Sequence, residues 1–433
     1  MKQLSIHSII VGFALFSMFF GAGNIIFPPY VGLAAGPEWL SGFFCYYLAD
    51  IGLALVAIFA MLRAQCIDKV EGIMFRLGPI PARIMMGIVL ICIGPLLAMP
   101  RTCATTFSMA VAPLTGTETM LPAILFAIVF FGVTLAFSIR ESALVELVGK
   151  YLTPLLVTGL LLMIFVGAAS PIGPISETPQ IQNVTWMGIS AGYQTLDVMA
   201  AIIFGLLVVN AMKAKGYDTH KLKFLSVSLA SLVAGVFLLI VYGGLCYLGA
   251  TVSTMYPENV DKGFLVMEIA RHVFGPVGSA ILSVVIGLAC LTTAIALAGS
   301  MGTFFSSMTN GRWSYKSVVF ISCLFSAIVA NFGLSNIISL AAPILTIVYP
   351  GVLAIIVLSL FDEQIKNDNV FKFAAAAAMA VSFCEVMGWY WPETFAFIKA
   401  LPFQEPGFGW SVPSAVCAVL GAFVKSKHRE PRC

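Results

Sequence analysis

Twelve predominantly apolar runs alternate with short polar stretches along the chain: 6–35, 39–62, 84–107, 120–138, 148–168, 187–211, 224–248, 276–309, 317–332, 336–360, 371–388 and 411–424. A helix needs roughly 20 apolar residues to cross the hydrocarbon core of a bilayer, and the runs are of that order, the last being short. Lipid offers backbone N–H and C=O groups no partner outside their own segment, so such runs must be helices. The pattern predicts an all-α polytopic membrane protein with 12 transmembrane helices in one domain, 1–433. Two outer loops exceed what a connector needs. Residues 169–186 are Pro-rich and carry no basic residue. In 250–275, the spacing of Leu265, Ile269 and Val273 against Glu268, Arg271 and His272 predicts an amphipathic helix over Phe264–Phe274, lying on the bundle.

Composition sharpens this picture. The chain is 60% apolar and 10% charged, against about 25% charged in soluble domains. Such a chain cannot clothe a soluble globule, which excludes a cytosolic enzyme, a nucleic-acid binder and a disordered protein. The net charge of +3 matters less than its distribution. With the N-terminus placed inside, 19 of the 23 Lys and Arg fall in inner loops and tails. Only Lys262, Arg271 and Lys399 fall outside, and Arg101 lies within a span. The positive-inside rule then predicts that both termini are cytoplasmic. The ten Cys form no CxxC pair and read as small hydrophobes in helix packing. The first apolar run is too long for a cleavable signal peptide and lacks its small-residue cleavage site.

Two runs are interrupted where a spanning helix should be continuous. The first contains Gly21-Ala22-Gly23-Asn24-Ile25-Ile26-Phe27-Pro28-Pro29. Its glycines remove the steric bias toward helix, and each proline lacks an N–H and crowds the carbonyl four residues back, that of Asn24 or Ile25, which places a break near the middle of the run. The sixth opens Gly192-Tyr193-Gln194-Thr195-Leu196-Asp197. Irregular backbone at mid-membrane survives only against protein or a water-filled cavity. Interrupted helices at corresponding places in two halves point to a secondary transporter with inverted repeats. The repeats are then 1–170 (helices 1–5) and 187–360 (helices 6–10), with helices 11 and 12, 371–424, added. The eighth run carries Thr292 and Thr293 at half depth. Each could bond its own i−4 carbonyl, or the two hydroxyls could join another helix's freed carbonyls in an all-oxygen cage for Na⁺.

Gly21–Pro29, Gly94-Pro95-Leu96-Leu97-Ala98-Met99-Pro100-Arg101-Thr102, Gly192–Asp197 and Leu291-Thr292-Thr293 together resemble the branched-chain amino acid:cation symporters (LIVCS, BrnQ-type). The four motifs occur in order over nearly the whole chain. The resemblance implies Na⁺-coupled uptake of leucine, isoleucine and valine across a bacterial inner membrane, and the inverted-repeat fold of the sodium-coupled leucine transporters. It implies a sodium site made of the Ser17, Phe20 and Ala289 carbonyls with the Thr292 and Thr293 hydroxyls. One departure is Ser108, where many members carry an acidic residue.

The substrate is expected at the two breaks, on Gly21, Ala22, Gly23, Asn24, Gly192, Tyr193 and Asp197. The amides of Gly21, Ala22 and Gly23, at a positive half-helix end, suit its carboxylate, and Asp197 suits its ammonium or a cation. Phe20 and Phe204 stand near enough to line the pocket. A charge inside the membrane must find a partner, and Asp50 and Arg101 could pair with each other. A membrane enzyme would need a metal pair or a nucleophile with its base, yet the chain has no H-E-x-x-H and its four His sit at ends or in loops. A channel would need a ring or filter. The nearer alternative keeps the fold and changes the cargo, to another small amino acid or a nucleobase, or to H⁺ in place of Na⁺.

Overall fold

The first apolar run forms two helices, α1 (Lys2–Phe19) and α2 (Ala22–Ala35), joined through Phe20 and an extended Gly21 at φ −110°, ψ −164°. The break therefore falls at the glycine end of the motif, ahead of the prolines. Pro28 and Pro29 lie inside α2. Gly21 adopts the extended conformation at little cost, while the carbonyls the prolines leave free sit in a helix that neighbouring protein encloses. Close packing is one reason α2 holds: a Cβ on Gly32 would lie 1.8 Å from the Cys246 carbonyl oxygen, and one on Gly249 would lie 1.9 Å from that of Pro29.

The protein is described here by a computed structural model covering residues 2–63, 72–112, 119–139, 148–332, 334–404 and 407–424. Lys69, Arg140, Lys425, Lys427, Arg429 and Arg432, counted in the charge pattern, lie outside the described residues, as do Cys66 and Cys433. All regular structure among the described residues is helical. After a turn at Gly36 (φ 54°), α3 runs over 39–63 with a π-turn at Leu48–Gly52. Helix α4 covers 79–111, with π-turns at Cys92–Ala98 and Phe107–Val111. Next come α5 (Met120–Ser138) and α6 (148–169).

The sixth run is again two helices, α7 (Val184–Tyr193) and α8 (Asp197–Ala214), separated by Gln194, Thr195 and a left-handed Leu196 at φ 70°. The chain continues through α9 (His220–Ala250), α10 (Lys262–Phe274), α11 (Pro276–Met308), α12 (Tyr315–Val329), α13 (Leu334–Ser359), α14 (Asp368–Tyr390) and α15 (Ser411–Phe423). Helix α10 is the expected amphipathic helix, with Leu265, Val266, Ile269 and Ala270 buried.

Among the described residues nine helical runs are long and apolar enough to cross a membrane, and 4–19, 343–359 and 411–423 are shorter apolar helices. Burial sorts them into layers. Every residue of α8 from Asp197 to Val209 is buried, so this half-helix is enclosed on all sides. By contrast, α5 and α6 expose Leu125, Ile128, Val129 and Phe165, as lipid-facing helices do. The breaks of α1/α2 and α7/α8 thus meet in the interior, with α4 and α11 beside them.

Candidate functional site

The break before α2 leaves the Ala22 and Gly23 amides at the helix's start without an intrahelical carbonyl. The Gly21 amide, expected to be free as well, donates instead to the Phe19 carbonyl at 2.8 Å. A small cavity of about 40 Å³ lies against this turn. Its polar wall includes Asn24, Arg101, Thr195, Asp197 and Thr293, and its apolar wall Ile93, Leu97, Ala200, Phe204 and Leu297. Gly21, Ala22 and Gly23 all line it. Arg101 is so near that a Cβ on Gly23 would lie 2.8 Å from its Nη2.

Asn24 ties the two breaks together. Its amide donates to the Phe19 carbonyl and to Asp197 Oδ2, both at 2.6 Å. On the other side of the second break, the Thr195 hydroxyl stands 2.7 Å from both Asp50 Oδ1 and the Gly192 carbonyl. Asp50, fully buried on the π-turn of α3, is therefore linked to the break of α7/α8. The expected Asp50–Arg101 pair is replaced by two separate relations: Arg101 faces Asp197 in the cavity wall, and Asp50 is held by Thr195.

Gly192 and Tyr193 are not brought to this cavity. A Cβ on Gly192 would lie 2.6 Å from the Tyr46 carbonyl oxygen and 3.0 Å from the Asp50 nitrogen, so Gly192 lets α7 press onto α3. Tyr193 packs edge-on to Tyr349, with ring centroids 4.2 Å apart. It lines a second, larger recess of about 310 Å³ together with Phe27 and Lys262. Leu97, Arg101 and Leu196 line both spaces and stand between them. Phe204 and Phe19 line the inner cavity, whereas Phe20 stacks on Phe16, centroids 5.6 Å apart.

A second polar cluster joins α1 to α11. Thr292 Oγ1 donates to the Ser17 carbonyl at 3.0 Å and lies 2.9 Å from that of Ala289. Thr293 Oγ1 is 3.1 Å from the Met18 carbonyl and 3.5 Å from that of Ser17. Four of the five residues expected for a cation site, Ser17, Ala289, Thr292 and Thr293, thus converge. No described hydrogen bond ties the Phe20 carbonyl to them, whereas the Met18 carbonyl accepts from Thr293. The last turn of α1 sets this: the Phe16 and Phe19 carbonyls accept from the Phe20 and Gly21 amides, and those of Ser17 and Met18 are the ones within reach of the two hydroxyls.

Residues 4–428 match the family described as branched-chain amino acid transport protein. The chain belongs to this family. The branched-chain amino acid permease BraB of Bacillus subtilis is 36% identical over 96% of this chain and 94% of its own. The branched-chain amino acid transport system 2 carrier protein of Pseudomonas aeruginosa is 34% identical over 98% and 97%. These relatives are carriers, not enzymes. Among solved structures, a nucleobase-cation-symport-1 family transporter in a closed conformation superposes with a TM-score of 0.61 at 13% identity, covering 96% of this chain and 91% of that one. At that identity the likeness speaks to the fold, which is that of the sodium-coupled leucine transporters.

Proposed function

We propose that the protein imports leucine, isoleucine and valine across a bacterial inner membrane, driven by Na⁺ entering with them, with both termini in the cytoplasm. The observation that carries this reading is the cavity where the two broken helices meet. The Ala22 and Gly23 amides, at the positive end of α2, and the Arg101 guanidinium suit a carboxylate. Asp197, oriented by Asn24, suits an ammonium. Ile93, Leu97, Ala200, Phe204 and Leu297 suit a short branched side chain. Because the cavity is small, its apolar wall must yield to admit leucine. Lysine or glutamate would bring an extra charge into it, and an unpaired buried charge is strongly disfavoured.

The cation belongs at Ser17, Met18, Ala289, Thr292 and Thr293. Na⁺ is a hard cation that favours carbonyl and hydroxyl oxygens, and each hydroxyl can turn a lone pair toward it. Uptake of labelled leucine into proteoliposomes tests the reading directly. An inward Na⁺ gradient should drive accumulation, with isoleucine and valine competing and glutamate not. Uptake that is indifferent to Na⁺ would overturn the coupling, and leucine, isoleucine and valine all failing to enter would overturn the whole.

A further inference from the structure

Asp50 has no evident task in that scheme, yet it is fully buried. Its Oδ1 accepts from Thr195 at 2.7 Å, while its Oδ2 has no hydrogen-bond partner. Two further buried oxygens lack partners close by, the phenol groups of Tyr46 and Tyr242, whose rings meet with centroids 5.5 Å apart. An ionised carboxylate with a bare buried oxygen is strongly disfavoured. The groups facing Asp50 offer no positive charge: Tyr46 and Tyr47 from its own helix, Asp197 from α8, Tyr242 from α9 and Tyr349 from α13. Arg101 faces Asp197, and Lys262 lies over the Phe27 and Tyr30 rings. Na⁺ at the junction of α1 with α11 balances the sum of Asp50, Asp197, Arg101 and a zwitterionic substrate. Yet its oxygens, from Ser17, Met18, Ala289, Thr292 and Thr293, do not include the bare oxygen of Asp50, which has no cation beside it among the described residues.

We propose that Asp50 is the site of an exchangeable proton, carried inward with each amino acid in addition to Na⁺. Asp50 Oδ2 takes the proton from water outside, forming an O–H bond that faces the Tyr46 and Tyr242 phenols, and returns it to water inside. Nothing is oxidised or reduced. The position suits a group that must respond to gating. Asp50 sits on a π-turn, a deformable geometry common at functional sites. It meets the second break through the Thr195 hydroxyl and the facing Asp197 carboxyl, and Gly192 holds α7 in backbone contact with the Tyr46–Asp50 segment. Movement of α7 away from α3 breaks the Thr195 bond and changes the surroundings of the proton.

The proposal rests on the transport reading, and its test separates the two. Purified protein is reconstituted with a pH-sensitive dye inside the vesicles, at fixed Na⁺ and with the membrane potential clamped. Labelled leucine and internal pH are followed together. One proton should enter per leucine, and wild-type uptake at saturating Na⁺ should fall about tenfold per pH unit along its alkaline limb, as a one-proton requirement demands. Asp50→Asn should keep leucine counterflow, move no protons and lose the alkaline fall. Leucine uptake without proton entry overturns the proton site and leaves the transport reading standing. So does an Asp50→Asn protein with the wild-type pH profile. Failure of leucine, isoleucine and valine all to enter overturns both. Where Asp50→Asn does not fold, leucine entering the wild-type vesicles without protons still overturns the proposal.

Discussion

At the scale of single residues, two glycines two positions apart face two different polar side chains. A Cβ on Gly21 would approach Thr293 Oγ1 to 3.0 Å, whereas a Cβ on Gly23 would approach Arg101 Nη2 to 2.8 Å. Both neighbours are ends of side chains and can shift, so alanine at either place should fold and insert. The effects should then part. Gly21→Ala displaces the Thr293 hydroxyl and should raise the Na⁺ concentration for half-maximal uptake. Gly23→Ala displaces the guanidinium and should raise the leucine concentration for half-maximal uptake by about tenfold, equivalent to about 1.4 kcal/mol. Each constant is measured with the other ligand saturating. If the two substitutions move the same constant equally, the assignment of Arg101 to the carboxylate and Thr293 to the cation is wrong.

At the scale of elements, the second break is held open by Leu196 in the left-handed region, a conformation costing an L-residue about 1–2 kcal/mol. Branching at Cβ worsens that clash and glycine removes it. Leu196→Val should therefore lower the melting temperature of the detergent-solubilised protein, and Leu196→Gly should not. Equal melting temperatures for the two would show that the backbone here is unstrained. This residue also marks how far the sequence could be read. The spans and both interruptions were legible because lipid forces long apolar runs and because Gly and polar residues are rare at mid-span. That α2 would run on through Pro28 and Pro29 was not. Pro28 and Pro29 are strong local signals, but α2 is enclosed by α9 at Gly32 and Gly249, and packing outweighed them. The link from Asp50 to Thr195 was also hidden, because a contact across 145 positions leaves no trace in spacing. Thr292 and Thr293 were legible as adjacent hydroxyls at half depth, but which carbonyls they meet depends on how α1 ends. Leu196 itself carries no sequence signal for a left-handed turn.

At the scale of the whole molecule, transport requires some parts to stay together and others to separate. One fixed tie is Arg76, 1% exposed, which joins the segment after α3 to the connection between α13 and α14. Its Nε donates to Asp362 Oδ1 at 2.8 Å and its Nη2 to the Ile365 carbonyl at 2.8 Å, while Nη1 pairs with Asp368. Removing one partner of a buried pair costs about 3–5 kcal/mol, so Arg76→Gln should sharply reduce the yield of folded protein, and unchanged yield and melting temperature would show the tie to be dispensable. The junction of α1 with α11 has the opposite requirement. A ligand drives a conformational change only as far as its affinity differs between the two states. Na⁺ meets this condition if its oxygens come from two bodies that separate, here the Ser17 and Met18 carbonyls on a broken helix and Ala289, Thr292 and Thr293 on an unbroken one. One charge crossing the membrane gains about 2.3 kcal/mol per 100 mV, enough for about fortyfold accumulation of a zwitterion. Thr292→Ala and Thr293→Val each remove one oxygen from the junction. The hydroxyls' hydrogen bonds contribute only about 1 kcal/mol each to folding, so the variants should fold, while their half-saturating Na⁺ rises about tenfold or more and leucine affinity at saturating Na⁺ stays near wild type. Leucine uptake titrated against Na⁺ at constant ionic strength measures this. A half-saturating Na⁺ unchanged in both variants would take α11 out of the cation site and leave Asp197 and the Asp50 proton as the means by which the gradient is harnessed.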